Sequence, residues 1–306
     1  MYVPDELRLY YNHTIHPELK RLERKRKGLM VFLAASFIIL LVILFLQIYI
    51  RIFLLTLVLM IPMVLYIAFI FYEFDKFRHR FKPKIVNLIL EFINRSVDFR
   101  DLKYIEDGEI DPKTFRKSRL FNSAAPDYVG EDYIEGKIRE QEFEMSELAV
   151  KEFSPVRNRL DEVFRGVFLH TKLTREVSGE ILILPKHQRQ YLSATIKAFT
   201  VNGSWVIETK NERFKHDFLI FGTPNADKHD FLSNEMQESI LKYKNKTRKD
   251  MYVSFIGSDV FIAVSQPKDL LEPVLWQSNV SFDLISEFYE DLILLMSIVK
   301  EIDANA

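Results

Sequence analysis

The chain has 306 residues, 48% of them hydrophobic, with 42 Lys+Arg against 43 Asp+Glu and no cysteine. Without cysteine, disulfides, zinc fingers, thiolate nucleophiles and iron–sulfur clusters are excluded, and at roughly 150 residues per domain the length suggests about two structural units. The formal charge of −1 is a cancellation: residues 1–84 hold 13 Lys/Arg and 6 Asp/Glu, a net of +7, and residues 85–306 hold 29 and 37, a net of −8.

Residues 1–28 read as a basic cytoplasmic lead-in, whose first 19 residues, with Tyr2, Tyr10 and Tyr11, are expected to be helical without a fold of their own. Residues 29–46 then run LMVFLAASFIILLVILFL, with no charge and Ser36 as the single polar side chain. As a helix this stretch is about 27 Å long, close to the thickness of a bilayer core. After Gln47, Tyr49 and Arg51, a second apolar run covers 52–72, interrupted by Thr56 and Pro62. Two such runs, apolar on every side and joined by a few residues, predict a transmembrane hairpin over 29–72 rather than a pair of core helices or a signal peptide.

The flanks set the expected orientation. Lys20, Arg21, Arg24, Lys25, Arg26 and Lys27 precede the first run, and Lys76, Arg78, Arg80, Lys82 and Lys84 follow the second. The joint offers only Arg51, so the positive-inside rule places both termini in the cytoplasm. The same eleven bases are candidate contacts for lipid headgroups, each worth about 1 kcal/mol near an anionic surface; topology signalling alone is the plainer reading. Ala34, Ala35 and Ser36 form a small-residue cluster of the kind that brings membrane helices together, which suggests a homo-oligomer. Phe74, Phe77 and Phe81 recur at helical spacing among the second basic group and predict a helix leaving along the membrane interface.

Residues 73–125 read as a juxtamembrane amphipathic helix and connector. Ile85, Leu88, Ile89, Phe92 and Ile93 make the helical stripe, residues 97–111 mix strand and turn signals, and 115–121 form a helical turn. From 126 to 306 the pattern is that of an α+β domain with an antiparallel sheet. Strands are expected at 133–138, 143–150, 163–171, 179–184, 205–208 and 218–222, and a hairpin at 252–264 around Gly257-Ser258-Asp259. Helices are expected at 226–244 and, capped by Ser281, at 281–302.

Chemistry is harder to find. The chain lacks a P-loop, a GxGxxG turn, a GxSxG elbow, an HExxH helix and an EF-hand loop, so no cofactor, no metal and no catalytic residue is assigned, and the reading leans away from an enzyme. His13 and His16 share a helix face without an acidic neighbour. Asp227, His229 and Asp230 read as a helix-capping segment, since i, i+2 neighbours diverge on a helix. Glu131, Asp132, Glu135, Glu140, Glu142, Glu144 and Glu147 read as the solvated face of a strand. The −8 of the C-terminal part argues against nucleic acid.

The stretch from Asp132 through Tyr133-Ile134-Glu135-Gly136-Lys137 to Ile138, followed by Phe143-Glu144-Met145-Ser146-Glu147, resembles the D-x-I-x-G-K-I … F-E-F-S-E signature of the bacterial domain-of-unknown-function family 3137, often encoded near LemA-type membrane proteins. Phe164-Arg165-Gly166-Val167-Phe168 is similar to its F-x-G-x-F strand, and 218–241 resembles a family turn followed by a helix. Met145 departs from the family's aromatic, and 222–225 from its commoner turn. The resemblance implies paired membrane helices and no known catalytic residues. The functional expectation is therefore a membrane-anchored scaffold or accessory module for a partner protein with a basic surface, with a membrane-surface enzyme or small-ligand or lipid sensor as the alternative.

Overall fold

The computed structural model describes residues 5–50, 53–121, 123, 127–174, 178–188, 193–200, 205–226, 232–266, 271–274 and 276–304. The chain forms two compact units, one of residues 1–89 with 271–286, the other of residues 90–270 with 287–306.

In the first unit, α1 (Asp5–Tyr10), a π-helical turn (Tyr11–Ile15) and α2 (His16–Ile50) follow one another, and α3 covers Phe53–Ile93. With 35 and 41 residues, α2 and α3 are about 52 and 61 Å long. Both are long and apolar enough to cross a membrane, and only 11% of either apolar window is buried. Phe45, Ile48 and Leu54 point outward at 70%, 75% and 72% exposure. That is an expensive arrangement in water and the expected one in hydrocarbon. The helices meet through Leu33, Ile70 and Phe74, with Leu29, Met30 and Ile67 packed on them.

Two expectations are corrected in this unit. The first residues do have packing of their own: Leu7, Ile15 and Leu19 are fully buried, and Tyr11 meets Phe282 edge-on at 5.1 Å, with the Arg8 guanidinium 4.9 Å from the same ring. Sequence periodicity missed this because the covering segment is some 270 positions away. Nor does the amphipathic stripe begin a separate element, since α3 continues through Pro62 and Pro83 to Ile93. Phe74, Phe77 and Phe81 are buried within the protein, so they do not lie free for an interface. Arg51 falls outside the described residues.

The second unit is an α+β fold, as expected. Nine strands, β1 (Phe99–Ile105), β2 (Asp127–Ile138), β3 (Gln141–Ser154), β4 (Arg159–Lys172), β5 (Glu180–Pro185), β6 (Trp205–Val206), β7 (Phe218–Gly222), β8 (Met251–Ile256) and β9 (Asp259–Ser265), form a sheet of order β1-β2-β3-β4-β9-β8-β5-β7-β6, antiparallel at every described ladder. Phe168, Phe261, Leu148, Leu182 and Phe115 build the core on one face. Val260, Ile262 and Val264, alternating with Phe261 on β9, are also fully buried, so the central strands are covered on both sides, which accounts for their continuous apolar runs. The hairpin turns at Gly257, whose φ of 62° suits a residue without Cβ.

The helical turn expected at 115–121 is α4, shifted to Pro112–Lys117 by its cap. The short helices α5 (Ser193–Thr200) and α6 (Glu212–Asp217) escaped the sequence reading because they have few apolar repeats. Asp111 Oδ1 accepts the Lys113 N–H at 2.6 Å, and Asn211 Oδ1 that of Phe214 at 3.1 Å. The helix expected over 226–244 is described as α7 (Asn234–Thr247), capped by Ser233. Asp227, His229 and Asp230 lie outside the described residues. The last helix, α8, spans Phe282–Ala304, and Ser281 Oγ accepts the Asp283 N–H at 3.2 Å.

Candidate functional site

Antiparallel register carries one row of side chains across five strands. Lys103 on β1 stands opposite Glu135 on β2, Glu135 opposite Glu144 on β3, Glu144 opposite His170 on β4, and His170 opposite Phe261 on β9. On β4 the residues two before His170 on the same face is Phe168, a core residue; the row is where the apolar face gives way to polar groups.

The row opens onto a groove of ≈ 710 Å³. Its focus is His170, 13% exposed. The imidazole stacks on Phe261 with ring centres 4.9 Å apart. Nδ1 lies 2.8 Å from Glu144 Oε1 and Nε2 2.7 Å from Asp259 Oδ1. The other Asp259 oxygen accepts from the Lys117 ammonium. Tyr133 Oη stands 3.0 Å from Glu144 Oε2 and 3.3 Å from Glu135 Oε2, so its one hydrogen serves two facing carboxylates.

Electrostatics follow from this geometry. Both ring nitrogens face carboxylate oxygens, and both donate only when the ring is an imidazolium. The hydrogen bond from His170 is the main reason the Glu144 carboxyl titrates below its ordinary range, with burial opposing and Tyr133 assisting. Burial pushes Asp259 upward, yet Lys117 and His170 together hold it below the usual carboxylate value. Burial, then the charge of Glu144, pushes the Tyr133 hydroxyl up, so it stays a donor. The result is a continuous chain of polar contacts from Tyr133 through Glu144, His170 and Asp259 to Lys117.

Sequence reasoning missed this site. His170 was one histidine among seven, and Glu144 was grouped with the solvated carboxylates. That grouping is corrected: Glu147 is buried at 5% exposure, and Glu144 is bonded into the groove, whereas Glu140 and Glu142 do face solvent. Glu131, Asp132 and Glu147 hold carboxylate oxygens within 4.8 Å of one another, with the Tyr104 hydroxyl donating to Asp132 Oδ1 at 2.5 Å. These oxygen donors suit a hard cation in kind, but an acidic cluster alone assigns no metal.

The eleven bases expected to meet lipid are divided by the fold. Arg26 is buried against Glu23, with Nη2 2.6 Å from Oε1. Arg78 and Lys82 converge on Glu272 at 2.9 and 3.2 Å, and the Lys82 side chain is only 6% exposed. Lys25, Lys76 and Arg80 border a groove between α2 and α3. Lys20, Arg21, Arg24, Lys27 and Lys84 are exposed. Ala34 and Ala35 face outward, while Ser36 is buried and donates to the Phe32 carbonyl at 2.7 Å.

The family described as "Protein of unknown function (DUF3137)" matches residues 162–304. The match takes in Phe164–Phe168, 218–241, His170 and Asp259; the motif of 132–147, with Glu144, precedes it. Among solved structures, the chain is similar to the crystal structure of the mycobacterial trehalose monomycolate transport factor A, TtfA. The likeness has 10% identity and covers 63% of this chain and 88% of that one, with a TM-score of 0.28. No curated protein matches.

Proposed function

We propose, from the premise that residues 162–304 form a DUF3137 domain, that the protein is a membrane-anchored binding module whose α+β domain docks a basic segment of a partner protein. The observation that carries this reading is the groove. Asp101, Glu135, Glu140, Glu142 and Glu144 outnumber Lys103, Lys137 and Lys172 along it, which complements a cationic chain. The geometry favours binding over catalysis. A histidine acting as general base needs one nitrogen directed at a nucleophile or water, and here carboxylates hold both.

A fluorescent Lys/Arg-rich peptide should bind the full chain in nanodiscs saturably and more weakly as salt rises. Glu140 and Glu142 have side chains 83% and 79% exposed, so Glu140→Lys with Glu142→Lys should weaken the peptide about tenfold without affecting the fold. Equal binding by the double variant, or none by the wild type, would remove this reading. The second reading, a membrane-surface enzyme or small-ligand sensor, is favoured by the Tyr133–Glu144–His170–Asp259 chain and would show as saturable binding of a small polar ligand instead.

The anchor in this proposal is the α2–α3 pair, spanning a bacterial inner membrane with both termini in the cytoplasm. Support comes from the eleven flanking bases against one in the joint. Protease should cleave the sheet domain in inverted vesicles and leave it intact in right-side-out ones; the opposite pattern would reverse the topology.

A further inference from the structure

We infer that the groove between α2 and α3 is a binding site for an anionic phospholipid, its phosphate held by Lys25, Lys76 and Arg80 and the start of one acyl chain lying on Phe32. The inference rests on the membrane anchor proposed above and adds to it a specific ligand.

The groove encloses ≈ 350 Å³ and is mostly apolar, with Leu29, Phe32 and Phe77 beneath the bases. Lys25 and Arg80 have no acidic partner among the described residues; Lys76 has Glu73, at a loose 3.9 Å. Three bases against one acid leave a positive rim. The fold neutralises Arg26, Arg78 and Lys82 internally and leaves these three facing a cavity, so the bases of this region are not equivalent. A zwitterionic headgroup would bring its own cation into that rim; an anionic one does not.

Depth agrees with the assignment. Phe32 is 54% exposed and is the fourth residue of the apolar run 29–46. It lies seven residues beyond Lys25 on α2, about 10 Å along the axis, the separation between headgroup and upper acyl chain.

Gly28 supplies an independent observation. It sits in the interior of α2 and borders the groove, and a Cβ built on it meets nothing within 4 Å. Glycine there weakens the helix relative to alanine, with no close helix contact that demands it. What it provides is room in the groove.

The test is native mass spectrometry of the detergent-solubilised full chain with phosphatidylglycerol or phosphatidylcholine added. The wild type should retain one phosphatidylglycerol and at least tenfold less phosphatidylcholine. Gly28→Phe, which fills the cavity, and Lys25→Gln with Arg80→Gln, which strips the rim, should each lower phosphatidylglycerol retention about tenfold. Lys20→Gln with Lys84→Gln, outside the groove, should change it less than twofold. Phosphatidylcholine bound equally well, or Gly28→Phe and Lys25→Gln/Arg80→Gln both matching the wild type, would overturn the site. Vesicle flotation separates the two readings: a chain that floats without lipid preference keeps its anchor and loses this site, whereas a chain that does not float loses both.

Discussion

Gly166→Ala is expected to destabilise the sheet domain by on the order of 3 kcal/mol, a large effect for one methyl group. Gly166 has φ of +145°, a backbone region that residues with a Cβ rarely adopt. A Cβ there would stand 2.0 Å from the Val264 carbonyl oxygen and 2.6 Å from the Gln266 nitrogen. Those are backbone atoms of β9 and of the residue that follows it, and β9 pairs with β4 from Gly166↔Ser265 to Lys172↔Asp259. Relief would require the two strands to separate where Gln266 N–H donates to the Arg165 carbonyl at 2.9 Å. Thermal melting of the full chain in detergent should show a drop of roughly 6–12 °C. A shift under about 2 °C would mean that the strands part freely there. The same glycine is the centre of the F-x-G-x-F stretch, so that stretch marks a close approach of two strands.

His170→Ala is expected to cost about 2 kcal/mol near neutral pH and to change how stability depends on acid. Removing the ring leaves the Glu144 and Asp259 oxygens that face its two nitrogens without that partner. Asp259 keeps Lys117 and Glu144 is partly exposed, which holds the cost below the 3–5 kcal/mol of a fully buried pair. Glu144 is depressed in the fold from an ordinary value of 4.5, chiefly by His170. A depressed carboxylate adds stability that is fully present above its unfolded value and is lost as pH falls through the folded one. The wild type should therefore hold its melting temperature down to about pH 4.5 and lose it below, whereas His170→Ala, and Glu144→Gln even more clearly, should show a shallower acid limb. Scanning fluorimetry between pH 3 and 7 reads both. Parallel acid limbs in all three proteins would show that the His170–Glu144 pair contributes nothing to stability.

Recognition and placement of the groove differ in kind. Asp132 to Ile138 and Phe143 to Glu147 were legible as strands and as a family resemblance, and their alternation showed that each strand has two unlike faces. It could not tell what that face meets. Glu144, His170 and Asp259 lie 26 and 89 positions apart, and only the pairing of β3 with β4 and β4 with β9 aligns them. No local motif encodes such a contact, and a one-residue slip of register would turn His170 to the other face.

By itself, the sequence determined what depends on short-range composition: the two apolar spans, their basic flanks, the strand and helix periods of an α+β domain, and the absence of thiol chemistry. These are readable because transfer out of water and backbone period act on neighbouring residues. Tertiary structure decided which charges are spent and which remain available. It buries Arg26 and Lys82 against Glu23 and Glu272, leaves Lys25 and Arg80 on a groove, and encloses His170 between two carboxylates. The reason is physical: a charge's energy depends on which groups lie within a few ångströms of it, and chain folding alone sets that distance.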